Sequence, residues 1–236
     1  MPVCILAGGL ASRMRPLTER VPKVLLAVGG HPFLHYQLEW LRNQGIGRVV
    51  LCVGFLGEAV RDRFGSGKGY GIDIQYSFDG PNLLGTAGAI RKAIPLLGQE
   101  FFVLYGDSYL EIDYSDVFRA FRQSGKAGLM TVFPNSDQWD TSNVWYEAGE
   151  IVRYDKCNRV PAMRYIDYGL SIHKAESFTE YGPDKAVDLT DVFQQLILRR
   201  ELAGFVAQRR FYEIGSLPGL KELDQYLSAQ ANPQVI

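Results

Sequence analysis

The first half of the chain alternates short apolar runs with longer amphipathic segments. The apolar runs have the length of buried strands, and we predict strands at 3–7, 49–53, 72–77, 101–105 and 129–133. The segments between them carry apolar residues at helical spacing, which predicts helices at 32–44, 58–64, 87–94 and 115–123. This alternation predicts an α/β fold with a largely parallel central sheet and helices on both faces.

The pattern changes after residue 134. Three short runs, at 144–146, 151–154 and 165–172, are typical of antiparallel strands, and a helix is predicted at 187–199. They predict a small strand-rich lid over about 134–185. Strand-like runs at 205–208 and 211–214 and a helix at 217–227 complete the pattern, and the polar residues 231–236 are expected to fray. We therefore expect one Rossmann-like α/β domain, 1–230.

The composition narrows the functional classes. The chain has 236 residues, 47% of them hydrophobic, which is enough to bury one substantial core. The net charge of -1 provides no field for binding nucleic acid or an anionic membrane surface. The three cysteines form no CxxC pair, and no apolar run approaches the roughly 18 residues that span a bilayer. We expect a soluble protein of the reducing cytoplasm, with no nucleic-acid or membrane partner.

A glycine-rich segment follows the first predicted strand directly. Gly8 and Gly9 have no Cβ atom, so their backbone N–H groups can close around an anion. Arg13 adds a planar guanidinium and Lys23 a compact charge, and both groups suit phosphate oxygens. Residues 1–23 include four basic residues and one acidic residue, although the whole chain is nearly neutral. The segment indicates a polyphosphate-binding loop; the alternative is a glycine turn with incidental arginines.

The loop fits neither the Walker A motif nor the GxGxxG fingerprint. Its apolar strand, glycine turn, arginine and later Pro-Lys pair resemble the opening signature of the sugar-1-phosphate nucleotidyltransferases. The resemblance covers 3–227 and is strongest to short members, without a β-helix domain, that act on mannose- or heptose-type 1-phosphates with GTP. UTP, CTP or dTTP with another sugar stays open as the alternative. It implies transfer of a nucleoside monophosphate from an NTP to a sugar 1-phosphate, with release of pyrophosphate. Its implied partners are these two substrates, and a homo-oligomer is left open.

This reaction brings two highly charged groups together, so it demands charge neutralisation and in-line positioning. Magnesium is the expected neutraliser, since it prefers oxygen ligands. Asp107 follows a predicted strand, at the edge where open α/β sheets bind ligands, and the resemblance implies that it holds the metal. Glu213 stands where the family usually has a second metal-binding aspartate. The alternative to metal binding is that Asp107 only caps the segment that follows it. For Glu213 the alternative is a purely structural role. Arg13, Lys23 and Asp107 are the candidate catalytic residues.

The resemblance also implies the substrate contacts. The nucleotide is predicted to contact Leu6, Ala7, Gly8 and Gly9 and the turn residues Gly85, Thr86 and Gly88. The sugar phosphate is predicted to contact Asn143, Asp155, Lys156, Asp167, Tyr168 and Gly169. Two segments depart from the family pattern, because Cys157 replaces a proline and Asp-Tyr-Gly replaces Asn-Ala-Gly. A plain helix start at Thr86 and a surface role for Lys156 are the alternatives.

Two other classes of protein stay open at this point. A metal-dependent glycosyltransferase shares the nucleotide-binding half of such a fold, but it usually carries a DxD motif where this chain has Gly-Asp-Ser at 106–108. A non-catalytic nucleotide sensor would explain Glu213 as an altered metal ligand.

Overall fold

The fold is built from thirteen strands and six helices in the residues that the computed structural model describes, 1–182 and 185–231. The strands are β1 Val3–Leu6, β2 Ala27–Val28, β3 His31–Pro32, β4 Arg48–Val53, β5 Asp73–Phe78, β6 Glu100–Tyr105, β7 Ser108–Tyr109, β8 Gly128–Pro134, β9 Val144–Glu147, β10 Glu150–Tyr154, β11 Tyr165–Lys174, β12 Leu202–Val206 and β13 Tyr212–Glu213. The helices are α1 Phe33–Asn43, α2 Gly57–Phe64, α3 Gly85–Leu97, α4 Tyr114–Ser124, α5 Leu189–Leu198 and α6 Leu217–Ala231. Short 3₁₀ turns lie at Ser12–Met14, Lys23–Leu25, Lys68–Tyr70 and Ala175–Phe178.

Nine of the described strands form one sheet in the order β5-β4-β1-β6-β11-β8-β12-β10-β9. The strands β5, β4, β1 and β6 are mutually parallel, and β12 runs parallel to β8. The pairs that involve β11 or β10 are antiparallel. Seven of these nine strands therefore point the same way, but half of the neighbouring pairs are antiparallel, so the sheet is mixed. The predicted α/β fold class is confirmed, with the parallel part of the sheet at β5-β4-β1-β6.

Apolar residues cover both faces of this sheet. The residues of β1 alternate, because Val3 and Ile5 join a core cluster with α1, α2 and α4, whereas Cys4 joins the cluster on the other face with α3 and α5. A third, smaller cluster packs Leu223 and Leu227 of α6 against the edge near β7 and β13. Helices lie on both faces, as the α/β pattern predicts.

The strands predicted for a lid join the central sheet. β11 lies between β6 and β8, and β9 and β10 extend the far edge. Six successive residues of β11, 168–173, are buried, as expected for a strand covered on both faces. The lid region is thus a continuation of the sheet, with connecting loops that project from it.

Most predicted boundaries agree with the structure to within two residues, and the differences have local causes. The helix predicted from 187 begins at Leu189, because the side chain of Asp188 caps it by accepting a hydrogen bond from the N–H of Thr190. The strand predicted at 205–208 lies at Leu202–Val206, where it pairs with β8. The last helix extends to Ala231, the first residue of the tail predicted at 231–236, and 232–236 lie outside the described residues. Among the described helices, none has the length and apolar character needed to cross a bilayer.

Lowering the pH should destabilise this fold through His173, which is fully buried in β11 with its Nε2 atom 3.0 Å from Ser171 Oγ. Burial lowers its pKa from 6.5 to about 3. Between these values only the unfolded chain binds the proton, so the free energy of unfolding falls by roughly 1.4 kcal/mol per pH unit below the unfolded pKa.

Denaturant unfolding of the wild type and of His173→Gln, at about pH 7 and about pH 5, measures this contribution. The variant should lose less stability on acidification than the wild type. The same loss in both proteins would show that His173 does not titrate as described.

Candidate active site

A cavity of about 380 Å³ opens at the carboxyl ends of β1, β4 and β6. This is the edge at which open α/β sheets bind ligands. Ten of the residues predicted for the site line it: Leu6, Ala7, Gly8, Gly9, Arg13, Lys23, Gly85, Thr86, Asp107 and Lys156. The structure therefore brings the predicted phosphate loop, metal ligand and base turn together around one space.

The glycine loop crosses the end of β4 at close range. The N–H of Ala7 donates to the carbonyl of Cys52 over 2.8 Å, and a Cβ atom on Gly8 would lie 3.0 Å from the Gly54 nitrogen. A Cβ on Gly9 would meet no atom within 4 Å. The backbone is thus tightly packed at Gly8, whereas Gly9 leaves open space beside the cavity. Arg13 lies in the following 3₁₀ turn with its side chain exposed.

Asp107 is held at the cavity wall by packing and by a charge. A Cβ on the preceding residue, Gly106, would lie 2.3 Å from the carbonyl oxygen of Leu6, so only glycine permits this approach of β6 to β1. The buried Gln37 of α1 donates to the carbonyl groups of Tyr105 and Ser108, on either side of this turn. Lys23 Nζ lies 2.9 Å from Asp107 Oδ2.

Glu213 lies beside Asp107, although it does not line the cavity itself. β13 pairs with β7, and the N–H of Ile214 donates to the carbonyl of Asp107 over 2.9 Å. A Cβ on Gly215 would lie 2.8 Å from Glu213 Oε2, 3.4 Å from Asp107 Oδ2 and 3.8 Å from Lys23 Nζ. The two carboxylates and the ammonium therefore converge on one point.

These two carboxylates fit a magnesium ion in chemistry and number. Mg²⁺ is usually bound through one or two carboxylates together with substrate phosphates and water. No cluster of three or more metal-ligating side chains exists in the described part of the chain. Glu213 already accepts hydrogen bonds from Ser216 Oγ and from the N–H of Gly215, which fix the orientation of its carboxylate.

The predicted base turn is locked to the segment that precedes α5. Gly85 has a φ of 70°, and its Cβ would lie 2.5 Å from the carbonyl of Val187. Thr86 Oγ1 accepts a hydrogen bond from the N–H of Leu189 over 2.6 Å. Thr86 therefore joins the starts of α3 and α5, which favours the structural role over a direct ligand contact. Gly88 packs against Leu84 and does not line the cavity.

Of the six residues predicted to bind the sugar phosphate, only Lys156 lines the cavity. Asn143 and Asp167 form a layer behind it, where Asn143 Oδ1 accepts from the N–H of Asp167 over 3.0 Å. The Tyr168 side chain is buried in the core on the opposite face, beside Phe133.

The other two predicted sugar residues have structural contacts. Asp155 accepts hydrogen bonds from the N–H groups of Asn158 and Cys157, which lower its pKa. Gly169 has a φ of 101° and packs against Ser108, with its Cβ position 3.0 Å from Ser108 Oγ. Asp155 thus holds the backbone of the turn that carries Lys156, and Gly169 allows the close approach of Ser108.

Sequence reasoning missed three polar residues that line the cavity: Asp79, Tyr105 and Asp188. Asp79 directly follows β5 and Tyr105 ends β6, and strand ends are where ligands bind in such a sheet. Their positions at strand ends could therefore have identified Asp79 and Tyr105 from the sequence. Asp188 is the N-cap of α5, and nothing in its local sequence places it near the glycine loop.

The chain matches a known protein family over nearly its whole length. The model of the family described as "Nucleotidyl transferase" matches residues 3–229, so the chain belongs to that family. The prediction of an enzyme of the sugar-1-phosphate nucleotidyltransferase class is confirmed.

Individual relatives have different substrates in their names. The chain is 36% identical over 215 residues to D-glycero-alpha-D-manno-heptose 1-phosphate guanylyltransferase of Campylobacter jejuni, covering 91% of this chain and 95% of that protein. It is 42% identical over 120 residues to N-acetylmuramate alpha-1-phosphate uridylyltransferase of Neisseria meningitidis, a match to 50% of this chain and about half, 52%, of that protein. A putative glucose-1-phosphate thymidylyltransferase from Bacillus anthracis, solved with a sucrose, shares the fold with a TM-score of 0.85 at 21% identity, covering 97% of this chain and 95% of that one.

Alanine substitutions at Gly106 and Gly9 should separate packing from ligand binding. Gly106→Ala places a methyl group against the Leu6 carbonyl and should lower the free energy of unfolding by about 1–3 kcal/mol. Gly9→Ala meets no protein atom, so stability should stay unchanged while the Kd of a nucleoside triphosphate rises about tenfold.

Thermal unfolding and titration calorimetry measure the two effects. If Gly9→Ala bound nucleotide as tightly as the wild type, the ligand would not pass over this part of the loop.

Proposed function

We propose that this protein is a magnesium-dependent enzyme that transfers GMP from GTP to a mannose- or heptose-type sugar 1-phosphate, giving a GDP-sugar and pyrophosphate. The observation that carries the proposal is the convergence of the glycine loop, Lys23 and the two carboxylates of Asp107 and Glu213 at one sheet edge. Such a site combines phosphate-binding groups with a cation-binding pair, which suits the joining of two phosphates.

The basic residues provide the phosphate contacts in this proposal. The backbone at Gly8 and Gly9 and the exposed guanidinium of Arg13 face the cavity from one side and hold the triphosphate. Lys156 faces it from the other side and receives the sugar phosphate. No protein base is required, because a phosphate monoester with its second pKa at about 6 is already ionised near neutral pH.

The carboxylates provide the cation site. Asp107 and Glu213 would hold Mg²⁺, which, when bound, neutralises phosphate charge in the transition state. Lys23 lies within 2.9 Å of Asp107, so it compensates part of the charge of the carboxylate pair and keeps Asp107 directed at the cavity.

Asp79 supports guanine as the base. Asp79 is 8% exposed and lines the cavity, and its Oδ2 atom lies 3.5 Å from the Cβ position of Gly8. A carboxylate is an acceptor with two oxygens, and guanine is the common base that presents two adjacent donors, N1–H and the N2 amino group. Uracil presents one N–H between two carbonyl groups, which a carboxylate would repel. Burial raises the pKa of Asp79, an effect that the N–H of Leu84 and the charge of Lys92 oppose.

The sugar is inferred from the relatives. Two D-glycero-alpha-D-manno-heptose 1-phosphate guanylyltransferases, of Campylobacter jejuni and Aneurinibacillus thermoaerophilus, match 91% and 99% of this chain, at 36% and 30% identity. A mannose-1-phosphate guanyltransferase of Xenopus laevis is 33% identical over 178 residues. These matches favour a manno-configured sugar 1-phosphate.

Uridylyl transfer is the second candidate, because the uridylyltransferase of Neisseria meningitidis has the higher identity over its shorter match. The glycosyltransferase and the non-catalytic sensor are disfavoured by membership of the nucleotidyl transferase family. The Glu213 carboxylate also lies where it can act together with Asp107, so glutamate at this position does not require a degraded site.

A matrix of the four common ribonucleoside triphosphates and dTTP against a panel of sugar 1-phosphates tests the proposal by pyrophosphate release. GTP with a mannose- or heptose-type 1-phosphate should give the highest rate, and the rate should require Mg²⁺. Asp107→Asn should reduce it by on the order of a thousandfold, because one charged ligand is lost from the site.

Asp62→Asn, an exposed aspartate on α2, is the matched control and should retain the wild-type rate. Thermal unfolding checks that both variants fold. A folded Asp107→Asn with near-normal turnover would remove Asp107 from the reaction.

The base preference is tested separately with Asp79→Asn. The amide replaces one acceptor with a donor, so kcat/KM for GTP should fall roughly a hundredfold. The wild type should prefer GTP to inosine triphosphate, which lacks the N2 amino group, and the variant should lose that preference.

Asp73→Asn, at the opposite end of β5, controls for the loss of charge. An unchanged ratio of GTP to inosine triphosphate in Asp79→Asn would show that Asp79 does not contact the base.

A further inference from the structure

The turn after β10 presents Lys156 to the cavity. Among the described residues, no carboxylate forms an ion pair with its ammonium group. Asp155 organises the backbone of this turn by accepting from the N–H groups of Cys157 and Asn158, at 2.9 and 2.7 Å. The Lys156 side chain is exposed, so the backbone turn alone would leave its four-carbon stem free to move. Something else must restrict the ammonium group if it is to meet a phosphate in one place.

Two tyrosine rings lie next to this ammonium. Lys156 Nζ is 5.6 Å from the centroid of the Tyr154 ring and 6.0 Å from that of the Tyr105 ring. Both distances are within the range of cation–π attraction. Tyr105 ends β6 and lines the cavity, whereas Tyr154 ends β10 and is 2% exposed. The ammonium is thus attracted from two strands at once.

Both phenols donate to one carboxylate oxygen. Tyr105 Oη lies 2.6 Å and Tyr154 Oη 3.1 Å from Asp167 Oδ2, while Asp167 Oδ1 accepts from the N–H of Gly169 over 3.1 Å. An ionised carboxylate is an acceptor only, so it satisfies all three donors.

The hydrogen bonds to Asp167 affect the charge distribution of the two tyrosine rings as well as their position. A phenol that donates to a negative carboxylate gains electron density in its ring, and a more negative ring face attracts a cation more strongly. The Asp167 charge therefore acts on Lys156 through the two rings. Asp188 lies on the same side of the cavity: burial alone would raise its pKa, but hydrogen bonds from Thr190 and the charge of Lys156 lower it overall.

We propose that Asp167 is a positioning residue of the sugar 1-phosphate subsite, which holds the Lys156 ammonium at the cavity wall through the phenols of Tyr105 and Tyr154. The inference rests on the proposed function for the identity of the phosphate that Lys156 receives. It assigns Asp167 a place behind the substrate, not in contact with it. It also explains a carboxylate at this position. An asparagine amide would turn its NH₂ group either towards the two phenols or towards the N–H of Gly169, and the donors on that side would lose their acceptor.

Steady-state kinetics of Asp167→Asn, Tyr105→Phe and Lys156→Met test the proposal. Each variant should raise KM for the sugar 1-phosphate roughly tenfold and change KM for the NTP by less than about twofold. In the Lys156→Met background, Asp167→Asn should have little further effect, because the group it positions is absent. Tyr76→Phe, which removes a phenol that donates to Gly65 far from the cavity, is the matched control and should behave as wild type.

A second measurement does not depend on activity. Lysines of the folded protein are methylated reductively with ¹³C-formaldehyde, and the Lys156 resonance is assigned from its absence in Lys156→Met. Ring currents of the two tyrosines should shift this resonance in the wild type, and Asp167→Asn and Tyr105→Phe should move it towards the position of a free lysine.

Full additivity of Asp167→Asn with Lys156→Met, or an unmoved Lys156 resonance in folded Asp167→Asn, would overturn the proposal. Parallel losses in both KM values together with a lower Tm would also overturn it, since they would indicate general loosening of β11. Absence of any nucleotide-sugar product from the wild type would overturn the proposed function instead, and the resonance would still report on the positioning of Lys156.

Discussion

The close approach of the ends of β1 and β6 is the constraint on which the rest of the site depends. The N–H of Gly106 donates to the carbonyl of Leu6 over 3.1 Å, at a separation that leaves no room for a Cβ. This contact places the glycine loop that follows β1 and Asp107, which follows β6, at one sheet edge. β4 and β11 flank this pair of strands, so the residues at their ends are positioned relative to the two loops.

The site is organised in two layers. Several of the residues that line the cavity are held by partners that do not line it. Gln37 braces the turn that carries Asp107. Val187, just before α5, holds the base turn by donating to the carbonyl of Leu84 and accepting from the N–H of Ala87. Asp167, with Asn143 behind it, supports the side of Lys156. Since a charged side chain in a phosphate site must hold its position against solvent and rotamer entropy, these supporting contacts are as much a part of the site as the groups they hold.

The fold could be predicted largely from periodicity, but the placement of β11 could not. Its residues have the length and composition of a strand, and the lid assignment followed from its position after residue 134. Hydrogen-bond partners decide where a strand lies, and those of β11 are β6 and β8, which are distant in sequence. Local pattern carries no information on such pairings, because the same alternation suits an edge strand of a lid and a central strand of the sheet.

By itself, the sequence determined the α/β class and the strand-end positions of the glycine loop, with Gly8 and Gly9, and of the carboxylate of Asp107. Each of these follows from residue type within a few positions of a strand, where local geometry and chemistry are sufficient. Only the tertiary structure decided which side chains face the cavity: it brought in Asp188 and placed Tyr168 in the core. The physical reason is that the direction of a side chain depends on strand register and on packing between distant elements, which no short segment specifies.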